Sequence, residues 1–167
     1  SGIVYITIKG PSGDLPVDPE SIATLGVKYW PLALARDLDD AIIHLSFNEL
    51  ELGTWVFRSV GDIDIVADVD EILIKHKDHW LINEIIQYLK RVLKRLDLAS
   101  RSLVTLVEPE SCFAGTLLEL VFAADRSYML DGTFQDRSES PAVLRTTKMN
   151  FGNLPMCNDL TRLQTRF

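Results

Sequence analysis

Three short apolar segments, separated by amphipathic stretches, constrain the fold of this chain more than any other feature. The segments at 3–8, 54–59 and 103–107 are rich in β-branched and apolar residues, as strands are. Between them, residues 32–45 and 80–96 place apolar side chains at the spacing of one helix face. Strands that alternate with helices long enough to cross over a sheet imply layers of helices and strands. The order of elements therefore predicts an α/β fold.

Shorter elements complete the predicted order. Helices are expected at 62–74 and 113–124, and short strands at 126–130 and 143–147. A last helix is predicted to begin at residue 160. The Gly- and Pro-containing segments between these elements are expected to be loops.

Composition narrows the class of protein and its compartment. Of the 167 residues, 47% are hydrophobic, so we expect residues 1–167 to form a single domain with its own core. A net charge of −7 argues against general binding to nucleic acid or to an anionic membrane surface. No apolar run reaches transmembrane length, and no membrane partner is predicted. The two cysteines do not make a disulfide framework, so a cytoplasmic location is expected.

One carboxylate, Glu119, lies inside the otherwise apolar helical run at 113–124. An ionised side chain there is costly to bury unless it is paired or hydrogen-bonded, so we expect Glu119 to be either partnered or functional. The turn at 111–116 can present backbone N–H groups at the N-terminus of the same helix. Such donors suit a developing oxyanion, and a carboxylate one turn later makes the arrangement typical of a site.

The same stretch carries a resemblance to a known family. The segment AGTLLELVFAAD resembles the crotonase (enoyl-CoA hydratase/isomerase) motif, and Glu119 and Asp125 keep its spacing of six residues. More narrowly, SCFAGTLLEL and AADRSYML resemble the benzoyl-CoA-dihydrodiol lyase (2,3-epoxybenzoyl-CoA dihydrolase) branch, and within it the second of two crotonase-like halves. The resemblance implies a crotonase-like spiral of ββα units, here without its C-terminal helices. Because a strand is predicted at once, from residue 3, we expect a fragment or one half of a longer chain.

The resemblance also implies roles for particular residues. Glu119 would be the general acid or base acting on a substrate bound as a CoA thioester, because an apolar pocket raises the pKa of a carboxylate towards working pH. Backbone N–H groups of Gly61 and Thr116 would form the oxyanion hole. The alternative for Glu119 is a structural carboxylate that caps a neighbouring backbone amide. No cofactor is implied.

Several positions depart from the active pattern of that family. Its run of three glycines is reduced to Gly115, followed by Thr116 and by Leu117, whose bulk lies where the substrate carbonyl must approach. The second catalytic Glu of the family is replaced by Lys148 in the frame set by a following Gly and Pro. We expect Lys148 to pair with Glu119. These departures favour a half whose site has degenerated.

Other candidate residues are weaker. Glu139 would replace Lys148 if the loop before it were treated as an insertion. Cys112 precedes a helix N-terminus, where a thiolate is stabilised, but burial in a turn of small residues is the commoner reason for such a cysteine. His76 and His79 lack a third ligand, so no metal site is predicted. A set of acidic residues is expected to form a solvated helix face: Asp62, Asp64, Asp68, Asp70 and Glu71.

Two functions follow from these patterns. In the first, the chain is part of a CoA-thioester lyase or hydrolase of this branch, with Glu119 as its acid–base residue; a generic enoyl-CoA hydratase/isomerase is a further alternative. In the second, which Lys148 and the lost glycines favour, the chain is a structural half. The predicted partners are a CoA-thioester substrate, the other half of the same chain and further copies in a homo-oligomer.

Overall fold

The computed structural model describes residues 2–132 and 141–167, and four parallel strands form one sheet at its centre. The strands are β1 (Ile3–Lys9), β2 (Thr54–Val60), β3 (Ser102–Val107) and β4 (Arg126–Met129). They lie in the order β1-β2-β3-β4, so each strand pairs with the next one along the chain. The predicted α/β fold is confirmed.

Helices make the connections between these strands. Their bounds are α1 (Pro19–Leu25), α2 (Trp30–Phe47), α3 (Ile63–Lys75), α4 (Trp80–Asp97), α5 (Gly115–Ala123) and α6 (Arg162–Arg166). Helices α1 and α2 connect β1 to β2, α3 and α4 connect β2 to β3, and α5 connects β3 to β4. No helix of the described residues is both long and apolar enough to cross a membrane.

The core lies between one face of the sheet and these helices. Trp55 and Phe57, which alternate with outward-facing residues on the central strand β2, are fully buried. Helix α4 has the clearest apolar stripe, and its buried residues are Ile82, Ile85, Ile86, Leu89, Val92, Leu93 and Leu96. This stripe packs against α2, as the helical spacing of both segments predicts.

One helix was not predicted, and one predicted strand is corrected. No element was predicted over Pro19–Leu25, where α1 lies; it is seven residues long with one buried side chain, Ile22, too little for apolar periodicity to show. The segment 143–147 was expected to be a strand, but only Arg145 pairs, in an isolated bridge with Ala114. The chain then enters a one-turn helix, Lys148–Asn150, because the Thr147 and Asn150 side chains cap its N-terminus.

Candidate functional site

The N-terminus of α5 is the centre of the candidate site. Ala114 precedes the helix and has no side chain able to cap it, so the first N–H groups need acceptors from elsewhere. The Gly115 N–H donates to the carbonyl oxygen of Arg145 at 3.0 Å. The Thr116 N–H donates to Oδ2 of Asp70, on α3, at 2.8 Å. A carboxylate of the chain itself therefore occupies the anion position of this helix.

Asp70 is bound through both of its carboxylate oxygens. Oδ1 accepts from the Thr116 hydroxyl at 2.6 Å, and Oδ2 also accepts from the Thr147 hydroxyl at 2.8 Å. The side chain is 1% exposed, so the expectation that it lies on a solvated acidic face is wrong. Its position explains the burial, since Asp70 lies in the apolar stripe of α3 between Val66 and Leu73. That place in the helical pattern is the signal by which the sequence could have revealed it.

The Asp70 carboxylate also fills the space in front of Gly115. A Cβ atom added to Gly115 would lie 1.7 Å from Asp70 Oδ2 and 2.3 Å from Thr147 Oγ1. The backbone at Gly115 has φ of +41°, a conformation that side-chain-bearing residues rarely adopt. Glycine is therefore required here because the protein's own carboxylate occupies the space that a side chain would need.

The two N–H groups predicted to form an oxyanion hole both have acceptors within the protein. The Thr116 N–H is held by Asp70, and the Gly61 N–H donates to the carbonyl oxygen of Glu110 at 3.1 Å. An oxyanion hole needs two donors that are free to bind the reacting oxygen. In this conformation neither predicted donor is free, so the oxyanion-hole role of Gly61 and Thr116 stays a prediction that requires both hydrogen bonds to break.

Glu119 lies one turn into α5 and is fully buried, with a partner on each oxygen. Oε1 accepts from Asn150 Nδ2 at 2.7 Å, and Oε2 accepts from Arg162 Nη1 at 2.9 Å. Burial raises the pKa of the Glu119 carboxyl, and the hydrogen bonds from Asn150 and Arg162 oppose that rise. The alternative in which Glu119 is partnered describes this geometry, although its partners are side chains and not the backbone amide that was expected.

The cation beside Glu119 is Arg162 and not Lys148, which corrects the predicted ion pair. The guanidinium of Arg162 also binds both carboxylate oxygens of Asp97, at 2.9 and 2.6 Å. A planar guanidinium can bridge two carboxylates in this way, whereas a lysine ammonium is a single point charge. Lys148 is exposed at the start of its one-turn helix, while Asn150, two residues later, points inward to Glu119.

A cleft of about 750 Å³ lies beside Asp70. Asp70, Thr147 and Lys148 line it together with Lys75 and Arg145, whereas Glu119 is not among its lining residues. Arg145 pairs with Asp64, and further acidic side chains of α3 also line the cleft, so the charges there are of mixed sign. The predicted acid–base residue and the nearest cleft are thus separate, and the buried carboxylate among the residues that line the cleft is Asp70.

The remaining candidates lie away from this cluster. Cys112 is fully buried and burial raises the pKa of its thiol, the opposite of what a cysteine nucleophile needs. Its sulfur lies over Gly10 and Gly61, where an added Cβ atom would approach to 3.2 and 3.3 Å. Among residues 2–132 and 141–167, no group of three His, Cys, Asp or Glu side chains is placed to hold a metal ion. Glu139 lies outside the described residues.

Asp70 gives the stability of this protein a specific pH dependence. Desolvation raises the pKa of Asp70 from 3.8 to about 6, so the folded state binds more protons than the unfolded state between these values. Stability must then fall as pH rises through this window, by up to about 3 kcal/mol for a shift of this size. We expect chemical denaturation at pH 4 and pH 7 to show this loss for the wild type relative to Asp70→Asn. An equal pH dependence in both proteins would contradict the assignment.

The chain is 45% identical over 164 residues to benzoyl-CoA-dihydrodiol lyase of Aromatoleum evansii, a match that spans 98% of this chain and 29% of that protein. The resemblance to benzoyl-CoA-dihydrodiol lyase is confirmed. This chain therefore spans less than a third of the length of that relative. No protein-family model matches.

A similar solved structure is an enoyl-CoA hydratase/isomerase from Marinobacter aquaeolei. It superposes with a TM-score of 0.43 at 13% sequence identity, over 57% of this chain and 38% of the enzyme. In the described residues, one full strand precedes each connecting helix or helix pair, and the Ala114–Arg145 bridge is the only pairing outside the main sheet. The relation to benzoyl-CoA-dihydrodiol lyase therefore rests on the sequence identity of 45% and not on this structural similarity.

Proposed function

We propose that this chain is the non-catalytic half of a longer CoA-thioester enzyme of the benzoyl-CoA-dihydrodiol lyase type. The identity of 45% across nearly the whole chain supports the relation, and the short span of the match supports a longer parent. The parent activity in this proposal is opening of the ring of 2,3-epoxybenzoyl-CoA, with water consumed and formate released, by a cytoplasmic homo-oligomer. Within it, this half keeps the fold and supplies packing surface.

The occupation of the α5 N-terminus by Asp70 carries this proposal. A thioester oxygen can be stabilised only by donors that become available to it as charge develops. Here the Thr116 N–H already binds a carboxylate, and Asp70 lies directly over Gly115. Binding a substrate at this point would require a buried carboxylate with three hydrogen bonds to leave first.

Glu119 supports the same proposal. A general acid or base must be within hydrogen-bond reach of the substrate, and its pKa must suit proton transfer. Each carboxylate oxygen of Glu119 accepts a hydrogen bond, one from Asn150 and one from Arg162, and the cleft beside Asp70 does not reach Glu119. The carboxylate of the family motif has become part of a buried ion-pair network in this half.

A second candidate function rests on the cleft itself. Asp70 is a buried carboxylate with its pKa raised to about 6, and it lines a cleft of about 750 Å³ beside Lys148. A carboxyl of that kind in a cleft is a general acid–base candidate. In this alternative, the half is catalytic and Asp70 takes the place of the motif's Glu119.

Turnover in the full-length protein separates these functions. We expect Glu119→Gln, Lys148→Met and Asp70→Asn each to keep kcat/KM for 2,3-epoxybenzoyl-CoA within about threefold of the wild-type value, because no group that touches substrate is changed. Formate release measures turnover, and calorimetric titration of benzoyl-CoA measures binding. Lys148→Met is the matched control, since its exposed side chain holds nothing in the buried network.

Each contrary result points to a different error. Loss of turnover in Glu119→Gln, with benzoyl-CoA binding and thermal unfolding unchanged, would show that Glu119 is the acid–base residue and that this half is catalytic. The same loss confined to Asp70→Asn would establish the second candidate function. A fall in turnover that accompanies a fall in thermal stability would instead report damage to the fold, and Lys148→Met gives the baseline for that comparison.

A further inference from the structure

One face of the sheet is left open by the described residues. Side chains on this face follow the parallel register, with Tyr5 beside Val56 and Val104, and Leu106 beside Tyr128. Tyr5 is 62% exposed and Tyr128 is 54% exposed. The opposite face, by contrast, carries the fully buried residues of the core.

An exposed face of this kind is unusual for a parallel sheet. Parallel sheets occur almost only with both faces covered, because their crossover connections and apolar strands demand it. At the centre of the open face lie three apolar residues, Val56, Val104 and Leu106, and two exposed tyrosines flank them. Val56 is already buried by its neighbours on the same face, and Val104 and Leu106 are half-buried. Tyrosine is enriched in buried contacts between protein surfaces, where its ring packs and its hydroxyl finds a partner.

We propose that the open sheet face packs against a layer of secondary structure supplied by the rest of the same longer chain. This rests on the proposed function, in which the chain is one half of a larger protein. The matched relative leaves 71% of its length outside the match (100% less 29%), which is ample for a covering layer. The occupant is thus intramolecular, and its contacting surface is apolar at the centre.

The small area of the face argues for that occupant over a second copy of this chain. Four strands at about 4.8 Å spacing and about 20 Å length cover roughly 400 Å², about half of what each partner buries in a standard interface. An intramolecular layer needs no such area, because the chain connection already holds it in place. Arg58 and Glu108 pair at 2.5 Å beside the apolar centre and give the face a polar margin.

Cysteine labelling tests this surface without disturbing its packing. Thr7 lies on the open face and Thr24 lies on α1, outside the sheet; both are exposed in the described residues. Thr7→Cys and Thr24→Cys are made in full-length protein carrying Cys157→Ser, because Cys157 is exposed and would react. Maleimide modification of each site is followed by peptide mass spectrometry.

We expect the cysteine at position 7 to react at least tenfold more slowly than that at position 24 in the native protein, and equally fast in urea. Equal native rates would overturn the proposal. Protection at position 7 that disappears on dilution, together with the oligomer, would assign the face to a second copy and also overturn it. Neither variant touches the α5 cluster, so the labelling result and the turnover result are independent. The proposal about the sheet face can fail while the proposed function holds, and the proposed function can fail while the sheet face proves to be covered.

Discussion

Arg162→Met is expected to lower the free energy of unfolding by about 3–5 kcal/mol. Arg162 is 1% exposed and holds two carboxylates, Glu119 and Asp97, one of them fully buried. Methionine fills similar volume but leaves the Glu119 charge without its cation, and an uncompensated buried charge is among the most destabilising changes in a protein. Urea denaturation of the wild type and the variant measures the difference.

Arg95→Met is the matched control for this prediction. Arg95 pairs with Asp39 at 2.5 Å; the Arg95 side chain is 46% exposed, and that of Asp39 is 15% exposed. Water reaches this pair through Arg95, and solvated pairs contribute about 0–1 kcal/mol, so the control should lose much less stability than Arg162→Met. A loss in Arg162→Met no larger than that in Arg95→Met would contradict the buried network. Adding Glu119→Gln to Arg162→Met should recover part of the lost stability, because the unpaired charge is then removed.

Gly115→Ala is expected to lower the free energy of unfolding by about 2–6 kcal/mol. Backbone strain at positive φ contributes about 1–3 kcal/mol of this. Overpacking adds about 1–3 kcal/mol, because the new Cβ would meet the Asp70 carboxylate at 1.7 Å. Asp70 cannot move aside without breaking its hydrogen bonds to Thr116 and Thr147. Urea denaturation measures the difference: if the dependence of the unfolding free energy on urea concentration is unchanged, the shift of the transition midpoint gives the change in stability.

Gly26→Ala separates the strain from the clash. Gly26 also has a positive φ, +53°, with ψ of −124°, and a Cβ atom added there meets nothing within 4 Å. The control should therefore show a loss from backbone strain without a clash. If both variants lose the same stability, the contact between Asp70 and Gly115 is looser than the structure indicates, and the claim that Asp70 fills the site loses its basis.

The fold was largely predictable from the sequence because its main elements have strong local patterns. Helix α4 shows a full apolar stripe over five turns, and β2 has a run of three apolar residues, Trp55-Val56-Phe57. The misplaced strand at 143–147 had β-branched and apolar residues, but its Thr147 serves as a helix cap. Local composition could not distinguish a side chain that packs in a sheet from one that caps a backbone turn.

The candidate site was predictable in its location but not in its contacts. The motif around Glu119 predicted a site at the start of α5, and the missing glycines suggested that this site had changed. The groups that close it come from three distant segments, α3, the turn at Thr147 and α6. No spacing rule relates Asp70 to Gly115 or Arg162 to Glu119, because these contacts arise only when the chain is packed.

A crystal structure of the full-length protein bound to benzoyl-CoA would test the central claim most directly. The measured quantities are the distance from Asp70 Oδ2 to the Thr116 nitrogen and the position of the thioester oxygen. We predict that the distance stays near 2.8 Å and that the thioester lies in another part of the protein. A thioester oxygen bound by the Thr116 and Gly61 N–H groups, with Asp70 displaced, would contradict the account and make this half the site of the chemistry.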